Sequence, residues 1–213
     1  MTARHKREWR TDWSVTALLN QHFPRPAYIT PEILERGRAV HELCYLSDEQ
    51  QPLDLPEPLT GYLRAWGAFT TAMNPCWSHR EFCFETDTFH GILDRAGVLN
   101  GRLTVVDIKC GTPPNGVTPE RTGVQLALYT MGIFPQTAEK IQRLAVHIMK
   151  DGKYRVKTYD HPADFVLART LLQEASHGNS PTPHDGHTVD LDAGRTVEEH
   201  RSDSEPADLP RGM

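Results

Sequence analysis

HGILDRAGVLNGRLTVVDIK, residues 90–109, sets two alternating apolar runs on either side of Asn100-Gly101. Asn and Gly accept the two positive φ values of a type I′ turn, so the dipeptide predicts a two-residue hairpin. Such a turn pairs Leu99 with Arg102 and, counting outward, Asp94 with Asp107. Side chains alternate along a strand, which returns Lys109 to the face of Asp107. Like charges facing each other are ordinarily destabilising. A divalent cation would resolve the conflict, because oxygen ligands from one or two carboxylates suit Mg²⁺ or Mn²⁺. The competing reading is the solvated face of an ordinary hairpin, and a single β-bulge would spoil the geometry.

The neighbouring segments build a sheet around this hairpin. REFCFE, residues 80–85, alternates as a preceding strand, with Phe82 and Phe84 on one face and Glu81, Cys83 and Glu85 on the other. After the Gly/Pro loop CGTPPNGV, Thr118-Pro119 caps a helix whose buried side is Val124, Leu128 and Met131. Arg121, Gln125 and Tyr129 form a polar line on a neighbouring face, and such lines mostly face water. Residues 143–149 and 154–159 read as strands joined through Asp151-Gly152. Strand, helix and strand then make a βαβ crossover with its two strands parallel. A last helix runs from His161-Pro162 to about Glu174.

Upstream, Ser14 caps a short helix in SVTALLNQHF and Thr30-Pro31 opens a longer one. Ile33, Gly37, Val40 and Cys44 define the inward stripe of the second, with His41 on its edge. A lone histidine beside an apolar face is more commonly a hydrogen-bonded core residue than a ligand. Gly37 costs about 1 kcal/mol relative to Ala in a helix interior, which predicts close approach of backbone or ligand there. Tyr62, Trp66, Phe69 and Met73 form a further stripe, read as core. The predicted fold is α/β: a mixed central sheet, three-stranded meander plus βαβ crossover, flanked by helices.

Composition bounds the function class. The 213 residues are 38% apolar and 24% charged, enough for one good-sized core. The mean hydropathy of −0.53 indicates a polar segment diluting the average. No apolar run approaches a membrane span and no signal-peptide core is present, which predicts a cytoplasmic protein with no membrane partner. From Ser176 onward eight acids face three bases, which accounts for the whole net charge of −5. The expected organisation is a basic arm at 1–13, one domain at 14–175 and a disordered acidic tail at 176–213. His177, His184 and His187 in the tail lack a partner scaffold for a metal. Cys44, Cys76, Cys83 and Cys110 show no CxxC spacing and read as thiols.

Taken together, RGRAVHE, GILDRAG, VVDIKCG and QLALY resemble, in order and spacing, the RecB-like branch of the PD-(D/E)XK nucleases, which includes phage exonucleases. SVTALL is similar to a segment that opens many phage-type members, so the resemblance covers about residues 14–172. It implies a restriction-endonuclease-like core. By resemblance His41 is the branch's histidine, Asp94 and Asp107 its acidic metal ligands, Lys109 its catalytic lysine, and Gln125 and Tyr129 its QxxxY helix. The Ile108 carbonyl joins the ligand set, and Glu81, in competition with Glu85, matches an acid some members carry one strand earlier. Arg95 and Arg121 are candidates for phosphate contacts. Cys110 stands where threonine is usual.

The implied activity is metal-dependent hydrolysis of DNA, by an exonuclease acting in recombination or repair, in the cytoplasm of a bacterial or phage-infected cell. Mg²⁺ or Mn²⁺ would be the cofactor. The iron-sulfur cysteines of some members are missing, and without GxxxxGK[ST] no nucleotide site is expected. Single- or double-stranded DNA is the expected partner, with a recombination or single-strand-binding protein as a second. The alternative is a nucleic-acid-binding or regulatory module on the same fold with little hydrolytic activity.

Overall fold

Asn100 and Gly101 take positive φ values of 47° and 77° and close the predicted hairpin between β2 (His90–Leu99) and β3 (Arg102–Cys110). The computed structural model describes residues 9–24, 28–52, 55–111 and 120–177. All belong to one unit, Met1–Pro181; the second unit, Thr182–Met213, lies outside the described residues. With β1 (Cys76–Glu85), β4 (Gln142–Ile148) and β5 (Tyr154–Thr158), the hairpin forms one sheet in the order β1-β2-β3-β4-β5. The first three strands are an antiparallel meander, β3 and β4 run parallel, and β5 returns antiparallel. This is the expected mixed α/β sheet.

Helices cover both faces. One apolar cluster joins α1 (Val15–His22), α4 (Glu120–Ile133) and α5 (Ala163–His177) to Leu93, Ala96, Val105 and Ala145. The other joins α2 (Pro31–Asp48) and α3 (Thr60–Met73) to Leu99, Val106, Ile108, Leu144 and Val146. Ser14 Oγ accepts from Ala17 N at 3.0 Å and Thr30 Oγ1 from Ile33 N at 3.4 Å, as the cap residues predict. Thr118-Pro119, read as the cap of α4, lies outside the described residues. So do residues 1–8 of the arm and the tail beyond His177, where α5 ends. Trp9 stacks on His90 with ring centroids 4.2 Å apart, Arg10 pairs with Glu85, and Ser14 bridges to His90 in parallel.

The hairpin register holds for five pairs, Leu99–Arg102 through Arg95–Val106, and stops there. Asp94 and Asp107 are therefore not a ladder pair. On its other side β2 pairs Arg95 with Arg80 and Leu93 with Phe82, but Glu81 and Asp94 between them are left out. Glu81 takes a positive φ of 44°, sterically uphill for any residue with a Cβ. Leu93 and Leu99 should share a face by alternation, yet they pack into opposite clusters. The β1–β2 ladder is thus irregular twice, at a register shift between Trp77 and His79 and at the step of Glu81 and Asp94, and the second is the one that moves side chains of β2 to the other face.

Phe84 is buried, whereas Phe82 is 38% exposed with its ring on His79. One sequence expectation changes. Gly37 does not mark a close contact within the chain, since nothing lies within 4 Å of the position a Cβ would take. Gly61 does, for its Cβ would fall 1.7 Å from the Lys150 carbonyl oxygen. Gly61→Ala is expected to lower unfolding stability by about 1–3 kcal/mol, because rigid backbone must shift. Gly37→Ala should raise it by roughly 0.5–1 kcal/mol. Urea denaturation of the two variants checks the pair of opposite signs.

Candidate active site

The disturbed step is where the site forms. Beyond Val106, β3 has no ladder partner on β2, and the Ile108 N–H donates to Asp94 Oδ2 at 2.6 Å instead. The Ile108 carbonyl accepts from His41 Nε2 at 3.0 Å. That bond puts a proton on Nε2 and turns Nδ1 toward two carboxylates, Asp94 Oδ1 at 3.3 Å and Glu81 Oε1 at 3.7 Å. Ligand atoms of His41, Glu81 and Asp94 all lie within 4.8 Å of one another. The three come from α2, β1 and β2 and meet because the ladder omits Glu81 and Asp94.

Asp107 and Lys109 occupy the side of β3 that faces α4. Lys109 Nζ stands 2.7 Å from Asp107 Oδ2 and donates to Gln125 Oε1 at 3.0 Å. Gln125 Nε2 donates in turn to the Tyr129 hydroxyl at 3.0 Å. The predicted polar line on α4 therefore points inward at Gln125 and Tyr129. Tyr129 is buried, whereas the Lys109 side chain is 33% exposed, the accessible end of the chain. The buried Asp107 Oδ2 has its ion pair with Lys109 and no further hydrogen-bond donor.

Electrostatics follow from this packing. Burial alone would lower His41, but the Asp94 and Glu81 carboxylates outweigh it and hold the imidazole well above its ordinary range. Burial opposes ionisation of Asp94, yet His41 and the Ile108 N–H keep it below the usual carboxylate range. For Asp107 burial dominates, and with the Asp94 charge it prevails over Lys109, so this carboxyl is raised. Lys109 is raised because Asp107 outweighs desolvation. Burial pushes the Tyr129 phenol well up, and Asp107 and Asp94 add to the effect.

The donors fit a divalent cation. Two carboxylates and one imidazole nitrogen converge, and the other imidazole nitrogen is fixed by a backbone carbonyl, the arrangement that orients metal-binding histidines. The set differs from the expected one. Glu81 belongs to it and Glu85, which holds Arg10, does not. Asp107 is outside the three, with its Oδ2 held by the Lys109 ammonium.

The structure gives both expected phosphate contacts partners within the fold. Arg95 is wholly buried, with Nε on Asp48 Oδ2 at 2.7 Å and Nη1 on both Glu81 Oε1 at 3.2 Å and the Asp94 carbonyl at 2.6 Å. No phosphate can reach it. Arg121 is taken up by the end of α1, with Nη1 on the carbonyls of Phe23 at 2.6 Å and Leu19 at 3.2 Å, and Nη2 on Asn20 Oδ1 at 2.9 Å. Asp48, which the sequence reading missed, lies two helical turns after His41 and so on the same side of α2, a spacing that could have found it.

No family model and no curated protein matches the chain. Solved structures similar to it include SSO0001, at 20% identity over 83% of this chain and 81% of that one, with a TM-score of 0.41. An alkaline exonuclease from Laribacter hongkongensis shows 12% identity over 76% and 87%, with a TM-score of 0.39. At such scores neither likeness bears on the reading of the site. Among the described residues no helix is long and apolar enough to cross a membrane.

Because Arg121 satisfies terminal carbonyls of α1, Arg121→Ala should destabilise the fold by about 1.5–3 kcal/mol, the range for hydrogen bonds to a charged group. Urea denaturation measures it, with Arg121→Lys recovering only part of the loss because one ammonium cannot span three acceptors.

Proposed function

We propose that the chain is a metal-dependent DNA nuclease, an exonuclease that hydrolyses phosphodiester bonds at DNA ends in recombination or repair. The observation that carries this reading is the convergence of His41, Glu81 and Asp94 beside a lysine held by Asp107 and Gln125. The resemblance of RGRAVHE, GILDRAG, VVDIKCG and QLALY to the RecB-like nucleases supports the same assignment and favours ends over internal sites.

His41 Nδ1 and the carboxylates of Glu81 and Asp94 would hold a Mg²⁺ or Mn²⁺ ion, with Asp107 and the second lone pair of the Ile108 carbonyl as further oxygen donors. When bound, the ion supplies Lewis-acid polarisation of the scissile phosphate and a more acidic attacking water. Lys109 is kept in its ammonium form by Asp107, so its role is to donate and to offset charge rather than to abstract a proton. Of its three donors, one faces Asp107 and one Gln125, which leaves one for the attacking water or the transferring phosphate. Gln125, itself held by Tyr129, fixes the direction of that ammonium. With Arg95 and Arg121 committed inside the fold, phosphate contacts fall to exposed cations. Arg36 is one candidate, exposed on α2 five residues before His41 and close enough to act on the Cys110 thiol.

Incubation of labelled linear and circular DNA with Mg²⁺, Mn²⁺ or EDTA tests the reading. Linear DNA should be degraded only with metal and circular DNA spared. Lys109→Ala and Asp94→Asn should each cut the rate at least about 100-fold while the circular dichroism spectrum stays native. Metal-independent cleavage, no cleavage by the wild type, or undiminished cleavage by Lys109→Ala would reject it. Binding of DNA without hydrolysis would point to the non-enzymatic alternative.

A further inference from the structure

We propose that Arg95, braced by Asp48, is a positioning residue: it fixes the Glu81 carboxylate beside His41 and thereby sets the cation affinity of the site. The inference rests on the nuclease reading above. Arg95 is 0% exposed, and a buried guanidinium is tolerated only with carboxylates and good hydrogen bonds around it. Asp48 accepts from its Nε at 2.7 Å and is itself oriented by the Trp66 indole N–H at 2.9 Å. The guanidinium lies over the Trp66 ring, 5.5 Å from its centroid. Asp48 and Trp66 therefore hold Arg95 from the α2 and α3 side of the sheet.

What distinguishes Arg95 from a buried ion pair of general use is where Nη1 goes. This one nitrogen donates to the Glu81 carboxylate at 3.2 Å and to the Asp94 carbonyl at 2.6 Å. Those two residues lie opposite each other where the β1–β2 ladder omits a pair, between Arg80–Arg95 and Phe82–Leu93. Arg95 thus replaces a missing ladder contact with a side-chain bridge between two members of the cation set. Glu81 needs such a hold, because its backbone φ of 44° is one that a residue with a Cβ leaves unless its surroundings fix it.

The contacts also close on themselves. His41 and Asp48 project from one helix two turns apart, and His41 faces Glu81 while Asp48 faces Arg95. The path α2, His41, Glu81, Arg95, Asp48 and back to α2 is a ring, so weakening any bond in it frees the carboxylate opposite the imidazole. Supporting bonds of this kind around metal ligands are worth 10–100-fold in affinity.

The test measures Mn²⁺ binding by isothermal titration calorimetry on the full chain without DNA, for wild type, Asp48→Asn, Arg95→Lys and Trp66→Phe. Asp48→Asn and Arg95→Lys should weaken Mn²⁺ binding about 10–100-fold. Trp66→Phe, which removes the indole donor to Asp48 and part of the ring beneath Arg95 but keeps both charges of the Asp48–Arg95 pair, should weaken it less. The cleavage rate of each folded variant should return to the wild-type value at saturating Mn²⁺, the signature of positioning rather than chemistry. If Arg95→Lys does not fold, Asp48→Asn and Trp66→Phe decide the matter. Folded variants with wild-type Mn²⁺ affinity, or with a rate defect that saturating Mn²⁺ leaves in place, would overturn the proposal while leaving the nuclease reading intact. A wild type that takes up no Mn²⁺ overturns both.

Discussion

The bond from the Ile108 N–H to the Asp94 carboxylate, 2.6 Å long, is the constraint on which the site depends. A buried backbone donor must be paired, and the β2–β3 ladder supplies partners only as far as Arg95 and Val106. Asp94 takes over as acceptor at that point, which pins its side chain to β3 and out of the ladder. The Ile108 carbonyl is then satisfied from α2 by His41. One residue, its own side chain anchored in the α2 and α3 core, so ties β3 to β2 through a carboxylate and to α2 through an imidazole. The tautomer of His41 and the convergence of its Nδ1 with Glu81 and Asp94 follow from that pair of backbone bonds.

The charges gathered there do not balance on their own. Asp48, Glu81, Asp94 and Asp107 share the neighbourhood with Arg95, Lys109 and His41. Arg95 is consumed by Asp48 and Glu81, and Lys109 by Asp107. His41 is left facing both Asp94 and Glu81, whose charges raise its imidazole, and a cation on Nδ1 would take the place of the proton there. Asp107 shows the remaining deficit: even with an ammonium at 2.7 Å its carboxyl is raised by burial and by the Asp94 charge. A further positive charge would relieve Asp94, Glu81 and Asp107 together. That is the physical content of the proposed cation.

Most of the fold was legible because it is written in local patterns. Asn100-Gly101 and Asp151-Gly152 marked two of the three hairpins, Ser14 and Thr30 two helix starts, and the apolar stripes the buried faces. His41, Asp94, Asp107, Lys109, Gln125 and Tyr129 do gather around one stretch of β3. What the turn rule missed is the step at Glu81 and Asp94. A register counted from a turn holds only while every residue keeps its place in the ladder, and a single positive φ at Glu81 carries no sequence signal, since Glu is no more suited to it than its neighbours. Arg95 was misread for a related reason. An arginine beside catalytic carboxylates reads as a substrate contact unless its buried partners are known, and Asp48 and Trp66 come from helices whose docking only the tertiary fold sets.

That docking has its own electrostatic reason. Arg80 and Arg95 face each other across β1 and β2, a like-charge pair that a sheet would ordinarily avoid. Asp48 and Glu49 stand at the C-terminal end of α2, where the helix dipole disfavours acids by about 0.3–1 kcal/mol each. Each anomaly answers the other: Asp48 takes Arg95 at 2.7 Å and Glu49 takes Arg80 at 3.2 Å. Removing one member of a buried pair costs about 3–5 kcal/mol, well above the dipole term, so the paired arrangement prevails. The end of α2 is thereby fixed to the two strands that carry Glu81 and Asp94. His41, two turns back on the same helix, inherits its place from that attachment, so the histidine that faces the carboxylates is positioned by the buried Asp48–Arg95 pair as well as by its own hydrogen bond to Ile108.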